Sequence, residues 1–439
     1  MLKSDLKVPS NNTLSTFLPL RTKDQHYKFC WETVLGYFVH SAYNKALITT
    51  DLDGFKELCK QRFAAILDEP EFWTEIEAMY FENDQLFKIS PELLMFKAVK
   101  GEIDTNNKKL GDMLIGLLNG FSVDSSPETN LNILEKEIKS EFDAFYVSTK
   151  VRQQTPQTQV PYLPFLTNCF QQDLKFLNER PNYLVTQFPA FIRLYGFLYI
   201  SQMALNIKDW RNGAPSSKPC FFIIDNEKAS RERSHIRNYG YSQLVEYLEY
   251  LFPYLVMNET LQEKGETKPL WSLAESLKGS QDEDDLSKLN AFSKEFVEAR
   301  SKYYRALPTL EDKTELIDAL HQLLSLSHWQ FDSKKGTLEE YNQTAVKGVL
   351  KTICSPFIQR RGQAGQVLTF NQDYVVLLTN LAIGEKDRLR FHELIKAFEM
   401  RGVFFDKQSH QSLVEFYERM GNVERMSDSG DAVYVKKTV

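Results

Sequence analysis

The last fifty residues of the chain carry the pattern that most constrains its fold. From residue 391, apolar side chains recur at the spacing of one helix face, and the pattern stops at Gly402. A second helix is predicted to begin after Asp406, a good N-cap, and to end at Gly421. Two amphipathic helices with so short a connection form a helix-turn-helix. The apolar residues of the two predicted stripes are Phe391, Leu394, Ile395, Phe398, Leu413, Phe416, Tyr417 and Met420.

After Gly421 the apolar period changes from that of a helix to that of a strand. Val423 precedes a polar turn over residues 427–431, and Val433 and Val435 follow it. Gly430 in this turn is expected to supply a positive φ. The sequence therefore predicts a hairpin in the position of a wing, and with it a winged helix-turn-helix. Such a module most often presents its second helix to a DNA major groove.

The whole chain has room for two or three domains. Its 439 residues, of which 42% are hydrophobic and 26% charged, are typical of a soluble globular protein. We predict a mainly α, multi-domain fold with a small mixed α/β element and the C-terminal winged helix-turn-helix. The predicted parts are an N-terminal helical domain (1–150), a central helical domain with a short strand element (151–340), and a basic segment plus the winged helix (341–439).

Two local patterns support this division. Residues 153–164 are rich in Gln, Thr and Pro, which is typical of a linker. Residues 219–225 form a short continuous apolar run that predicts a buried strand.

Cysteine usage and the polar N-terminus predict a cytoplasmic protein. The five cysteines are scattered and form no C-x-x-C, which argues against a zinc site and a disulfide framework. Residues 1–5 are too polar for a secretory signal. The most apolar stretch, residues 188–205, contains Arg193 and Gln202, so we expect a buried helix and no membrane contact.

The charge distribution restricts where double-stranded DNA could bind. The formal net charge of -6 means that any DNA contact must be local. Residues 341–372 contain no Asp or Glu, whereas residues 371–439 hold ten Lys and Arg against eleven Asp and Glu. A protein-docking role for the winged helix therefore stays open. The predicted DNA-binding residues are Lys347, Lys351, Arg360, Arg361, Lys407, Gln408, Gln411, Ser412, Arg419, Arg425 and Lys436.

A second basic loop follows the predicted strand. Its cations could hold phosphate through charge-assisted hydrogen bonds. The alternative is a solvated helix face paired with Glu227 and Glu232, and both readings stay open. The residues of this loop are Lys228, Arg231, Arg233 and Arg237.

No complete catalytic motif is present in the sequence. It lacks G-x-x-x-x-G-K-S/T, so we expect neither nucleotide binding nor ATP hydrolysis. Asp225 and Glu227 are the best nuclease candidates. However, Lys228 is not two residues from either, as a carboxylate and lysine on one strand face would require. The histidines lack ligand spacing. We therefore predict a non-catalytic protein without metal or cofactor.

Several segments resemble the DNA phosphorothioation-dependent restriction protein DptG (DndG) family. They are residues 388–394, 401–406 and 421–432, together with 360–362 and 221–230. The resemblance runs over the full length and is specific in these segments. It implies that the chain acts with two larger partners, DptF and DptH, in a bacterial complex that attacks DNA lacking a sulfur-modified backbone.

The leading interpretation is a DNA-binding and DNA-positioning subunit of a restriction complex. One alternative is a scaffold that touches only proteins, linking the ATPase and nuclease partners. A further alternative is a metal-dependent nuclease subunit centred on Asp225 and Glu227.

Overall fold

A computed structural model describes residues 2–15, 20–47, 52–67, 69–98, 104–124, 131–147, 160–229, 233–278, 283–426 and 432–439. This part of the chain is mainly helical, as the sequence predicted. The helices are α1 (Trp31–Ala42), α2 (Leu52–Ile66), α3 (Trp73–Tyr80), α4 (Leu86–Ile89), α5 (Thr105–Leu118), α6 (Ile133–Phe145), α7 (Pro164–Asn178), α8 (Pro181–Asn206), α9 (Ser234–Tyr239), α10 (Tyr241–Leu261), α11 (Leu270–Lys278), α12 (Glu283–Ala299), α13 (Leu316–Trp329), α14 (Glu339–Thr352), α15 (Gln372–Ile383), α16 (Phe391–Met400) and α17 (Lys407–Met420). Short 3-10 helices span Asp24–Tyr27, Pro70–Phe72, Pro91–Ala98, Trp210–Asn212, Ser301–Tyr303, Ser355–Phe357 and Gly362–Ala364.

Short strands in the described residues form three small sheets. They are β1 (Ala46–Leu47), β2 (Tyr146–Val147), β3 (Phe221–Ile224), β4 (Ile358–Arg360), β5 (Gln366–Phe370), β6 (Arg388–Arg390), β7 (Phe404–Phe405), β8 (Val423–Met426) and β9 (Ala432–Lys436). β1 pairs with β2, and a three-stranded antiparallel sheet has the order β6-β9-β8. The four-stranded sheet has the order β4-β5-β3-β7, with β3 parallel to both β5 and β7.

Helix α8 confirms the buried helix predicted from the apolar run 188–205. Nearly all of its residues from Phe191 to Asn206 are buried. Phe38 of α1 packs edge-on against Phe170 of α7 and Phe188 of α8, with ring centroids 5.8 and 6.0 Å apart. Among the described helices none is both long and apolar enough to span a bilayer. One connected hydrophobic core includes residues from all three predicted domains, and the domain boundaries themselves stay a prediction.

The two helices predicted at the C-terminus are confirmed as α16 and α17. Gly402 and Gly421 follow them with positive φ values of 87° and 75°. The Asp406 side chain accepts a hydrogen bond from the Ser409 N–H at 2.9 Å, so it caps α17 as predicted. The predicted stripes are buried except at two positions: Phe391 is half-buried, and Met420 is exposed at the end of its helix.

The predicted hairpin is present as β8 and β9. Val435 pairs with Val423 on one side and Leu389 of β6 on the other, and it is fully buried. The alternation predicted for this segment thus places an apolar side chain against α16. The turn over residues 427–431, with Gly430, lies outside the described residues.

A buried ion pair fixes the C-terminal helices to the helical body. The Arg401 guanidinium donates to both carboxylate oxygens of Asp173 on α7, at 2.9 and 2.5 Å. The Tyr195 hydroxyl donates to the same carboxylate at 2.5 Å. Arg401 and Asp173 are 6% and 1% exposed, so removing either partner would leave a buried charge uncompensated.

The connection between α16 and α17 contains a strand that periodicity did not reveal. β7 pairs with β3 through Phe221 opposite Phe404 and Phe222 opposite Phe405. The predicted buried strand is confirmed as β3, but its partners all come from residues 358–405. The short strand element thus lies in the central segment, and the other strands of its sheet lie in the C-terminal segment. The four-stranded sheet therefore joins the central and C-terminal segments. Its parallel strands are far apart in sequence, as strands linked by crossover connections usually are.

Candidate nucleic-acid interface

The carboxyl ends of three parallel strands meet at one edge of the four-stranded sheet. Asp225 follows β3, Asn371 follows β5 and Asp406 follows β7. Asn371 caps α15 by accepting from the Tyr374 N–H at 2.9 Å, just as Asp406 caps α17. In open sheets with parallel strands, this edge is where ligands most often bind.

A buried polar network joins the segment after β3 to the start of α17. Arg233 donates to both carboxylate oxygens of Asp406, at 2.8 and 2.5 Å, and to Glu227 at 2.7 Å. The Ser409 hydroxyl accepts from Arg233 at 2.7 Å and donates to Glu227 at 3.1 Å. Glu227 also accepts from the Ile224 N–H at 2.8 Å. The network therefore links residues of α17 to a segment more than 170 positions earlier.

The ionisation of this network follows from its contacts. Burial opposes the charge of Asp406, but hydrogen bonds from Arg233 and from Ser409 outweigh it and lower the pKa of Asp406. Burial likewise opposes the charge of Arg233, but its bonds to Asp406 and Glu227 outweigh burial and raise the pKa of the guanidinium. The network therefore holds one guanidinium between two carboxylates, with one negative charge in excess.

The prediction that Arg233 binds phosphate is corrected by these contacts. Arg233 is 7% exposed, and its guanidinium is saturated by Asp406, Glu227 and Ser409. A guanidinium whose N–H groups are already bonded to two carboxylates and a hydroxyl has no free donor face for a phosphate. Lys228 and Arg237 are exposed, as that prediction requires, and Arg231 lies outside the described residues.

The basic stretch around residue 360 reaches the same region. A terminal nitrogen of Arg361 donates to the backbone carbonyl of Asp225, which makes Arg361 half-buried. Arg360 is exposed on β4, which pairs with β5 at the edge of the sheet formed by the described residues. The structure thus joins the loop after β3 to the predicted basic segment on one side and to α17 on the other.

The outward face of α17 carries most of the predicted recognition residues. Lys407, Gln408, Gln411 and Arg419 are exposed, and Ser412 is half-buried. The Gln411 amide donates to Glu415 at 3.1 Å. Lys407 and Gln408 lie in the first turn, next to Asp406, whose charge Arg233 offsets. The start of α17 is therefore the most suitable part of this helix for an anionic partner.

The predicted DNA-binding lysines of α14 lie apart from this region. Lys347 and Lys351 are exposed one turn apart on α14, which packs against α10 and the segment 24–27. In the described part of the chain, neither lysine belongs to the hydrogen-bonded links that connect the loop after β3 with α17.

The hairpin cations are already ion-paired. Arg425 contacts Glu418, and Lys436 lies 3.3 Å from Glu424, which also contacts Arg388. Hydrogen bonds from Arg388 and from Lys436 lower the pKa of Glu424. Exposed pairs of this kind are weak, so a phosphate could replace the carboxylate, but only in competition with it.

The two nuclease candidates, Asp225 and Glu227, lie at the end of β3. Both oxygens of Glu227 accept hydrogen bonds, from Ile224, Arg233 and Ser409, and a metal ion would compete with these donors. Across the described residues, no group of three or more His, Cys, Asp or Glu could hold a metal. Asp225 alone retains a buried carboxylate oxygen without a hydrogen bond among those residues.

Sequence reasoning missed a cluster of aromatic rings beside this network. Phe221 of β3 contacts Phe404 of β7 and both His235 and Tyr239 of α9. The four-residue spacing of His235 and Tyr239 does place them on one helix face. Nothing local in the sequence connects them to Phe404, which enters the cluster through strand pairing.

Neither a protein-family profile nor any curated protein matches this sequence.

Proposed function

We propose that the chain is a non-catalytic DNA-binding subunit that positions duplex DNA against the carboxyl edge of its four-stranded sheet. The observation that carries the proposal is the buried Arg233 network. Through Arg233 it ties the backbone of the exposed Lys228 to Asp406, the residue before the exposed Lys407, although these segments are far apart in sequence.

The charges around this edge favour an anionic partner. Arg233 offsets one of the two negative charges of Glu227 and Asp406, and the cations Lys228, Arg360, Arg361 and Lys407 add positive charge around the same edge. Arg361 contacts the backbone of Asp225 and holds the neighbouring Arg360 close to the same loop. Phosphate contacts of this type position DNA without reading its sequence.

The C-terminal segment is proposed to be a winged helix-turn-helix. In support, α15 precedes β6, α16, α17 and the hairpin β8–β9, and the strands have the order β6-β9-β8. In this proposal α17 enters the major groove with Gln408, Gln411, Ser412 and Arg419 facing base edges. The hairpin then lies beside the groove.

The biological setting of the proposal rests on the resemblance to the DptG family. In this setting, the chain works in the bacterial cytoplasm with DptF and DptH, in a complex that attacks DNA lacking phosphorothioate. The partners supply ATP hydrolysis and cleavage, and this chain supplies DNA positioning.

One observation favours the runner-up, a scaffold that contacts only proteins. The hairpin cations Arg425, Lys436 and Arg388 are paired with carboxylates of the same module. A surface with mixed, paired charges suits a protein partner better than a phosphate backbone.

A binding experiment with matched variants separates the two functions. Purified full-length protein is titrated onto a fluorescent duplex, and Lys407→Glu is compared with Lys334→Glu, an exposed lysine in the turn after α13. We expect Lys407→Glu to weaken binding at least about tenfold, because it loses one contact and adds repulsion. Lys334→Glu should have a much smaller effect.

The scaffold function predicts the opposite result. The wild-type protein would not bind duplex DNA, and Arg425→Glu would disrupt assembly with the partner subunits. In that case the DNA-positioning function is wrong.

A further inference from the structure

We propose that the aromatic cluster formed by Phe221, His235, Tyr239 and Phe404 stacks against an unpaired DNA base. This inference rests on the proposed DNA-binding function and extends it. The protein would hold a single strand, or a base displaced from a duplex, beside the duplex-binding edge.

Helix α9 orients the exposed rings of the cluster. Its Ile236 packs with Ile223 and Val367 against one face of the four-stranded sheet. That anchor leaves His235 and Tyr239 exposed, with ring centroids 6.0 Å apart and 29° between the planes. Tyr239 is 45% exposed, which is high for an aromatic ring already in contact with other rings.

Strands β3 and β7 support the cluster from the side of the sheet. The Phe221 ring lies 5.1 Å from His235 with only 21° between the planes, and 6.3 Å from Tyr239. Phe404, its partner across the β3–β7 pair, lies 5.8 Å away. Because Phe221 and Phe404 belong to paired strands, the rings above them rest on a fixed support.

The charge around the cluster favours nucleic acid over an apolar peptide. Helix α9 contains no Asp or Glu, and its exposed Arg237 is two residues from each ring, on a different side of the helix. Arg233 precedes α9 directly and is bonded to Asp406, so the start of α9 is tied to the start of α17 and its Lys407. Single-strand binding sites usually combine stacking rings with cations that follow the strand, and Lys407 is the exposed cation tied to this cluster through Arg233 and Asp406.

The chemistry requires an unpaired base. Inside a duplex both faces of each base are covered by neighbouring bases, so a ring cannot stack on them. A base that is unstacked offers a free face, and contact with one aromatic side chain strengthens binding by about tenfold to a hundredfold. This contribution does not depend on phosphate contacts, so it should not change the salt dependence of binding.

The test compares single-stranded and duplex DNA with variants of Tyr239. Full-length protein is titrated onto a labelled thymidine strand of about 16 nucleotides and onto a duplex of the same length. Tyr239→Leu keeps apolar bulk and removes the ring, whereas Tyr239→Phe keeps the ring. Because Tyr239 is exposed, neither change should impair folding, and circular dichroism checks this.

We expect Tyr239→Leu to weaken single-strand binding about tenfold to a hundredfold at an unchanged salt slope. Duplex binding should change less than about twofold, and Tyr239→Phe should behave as wild type. The inference is overturned if Tyr239→Leu leaves single-strand affinity unchanged, or weakens both forms equally.

The same data keep the two proposals apart. Duplex binding without this Tyr239 effect would leave the proposed function standing and reject the stacking site. Single-strand binding that depends on Tyr239, without duplex binding, would do the reverse. Binding of neither form would reject both.

Discussion

At the scale of single residues, Arg233 shows how burial decides the role of a cation. In the sequence it belongs to a run of basic residues after a strand, and its neighbours Lys228 and Arg237 are exposed. In the structure it lies between Glu227 and Asp406, with which it forms short, charge-assisted hydrogen bonds. In the proposed function, its contribution to DNA binding is therefore indirect, through the placement of α17.

Replacing Arg233 by Ala should lower the free energy of unfolding by about 3–5 kcal/mol, because it leaves buried carboxylates without a partner. Arg237→Ala, an exposed change on the adjacent helix, should stay within about 0.5 kcal/mol. Urea denaturation followed by circular dichroism measures both. A stable Arg233→Ala protein with weakened DNA binding would instead make Arg233 a phosphate ligand.

The same network predicts a pH dependence. The pKa of Asp406 is lower in the folded protein than its value of about 3.9 in an unfolded chain. Its stabilising contribution is therefore fully present above about pH 4 and is lost as the pH falls through the folded pKa. Asp406→Asn keeps a good helix cap but removes the charge.

The wild type should thus be more stable than Asp406→Asn by a constant margin from about pH 7 to 5, and the margin should shrink below about pH 4. Urea midpoints across this range provide the measurement. A margin that persists unchanged to about pH 3 would show that the ion pair with Arg233 is not its source.

At the scale of elements, the sequence predicts the helices and strands that depend on local interactions, and it does not predict those that depend on residues far away in the chain. The helices α16 and α17 and the buried β3 were predictable because side-chain periodicity and caps such as Asp406 are local signals. β7 is only two residues long, which is too short for an alternating pattern of apolar and polar residues. It is a strand because it pairs with the edge of β3. The pairing of Arg233 with Asp406 spans 173 positions and has no local signature.

The bend between α16 and α17 offers a test of this packing. Gly402 has φ +87°, and a Cβ there would lie 2.3 Å from the amide nitrogen of Gln202. Gln202 is fully buried and bridges the backbone of Lys218 through both its amide atoms, at 2.9 and 2.8 Å. Gly402→Ala therefore combines backbone strain with a clash in the core.

We expect Gly402→Ala to destabilise the protein by more than Gly421→Ala, in which φ is +75° but no atom lies within 4 Å of the new Cβ. The control should cost about 1–2 kcal/mol from backbone strain alone. The difference between the two melting temperatures measures the clash. Equal losses would mean that Gln202 moves aside freely.

At the scale of the whole molecule, basic segments that are far apart in the sequence are proposed to form one surface. The chain has a net charge of -6, so binding to DNA depends on local grouping of cations and not on overall charge. Lys228, Arg360 and Lys407 come from three segments that meet through the Arg233 and Arg361 contacts. If they act together, each should neutralise one phosphate of the same duplex.

The most direct test is the salt dependence of duplex binding by wild type and by the triple variant Lys228→Gln, Arg360→Gln and Lys407→Gln, with Lys334→Gln as the control. The loss of three phosphate contacts should flatten the log-log slope by about 2.7, while the control should leave it unchanged. A triple variant that folds normally and keeps the wild-type slope would contradict the claim that these segments form one DNA-binding surface.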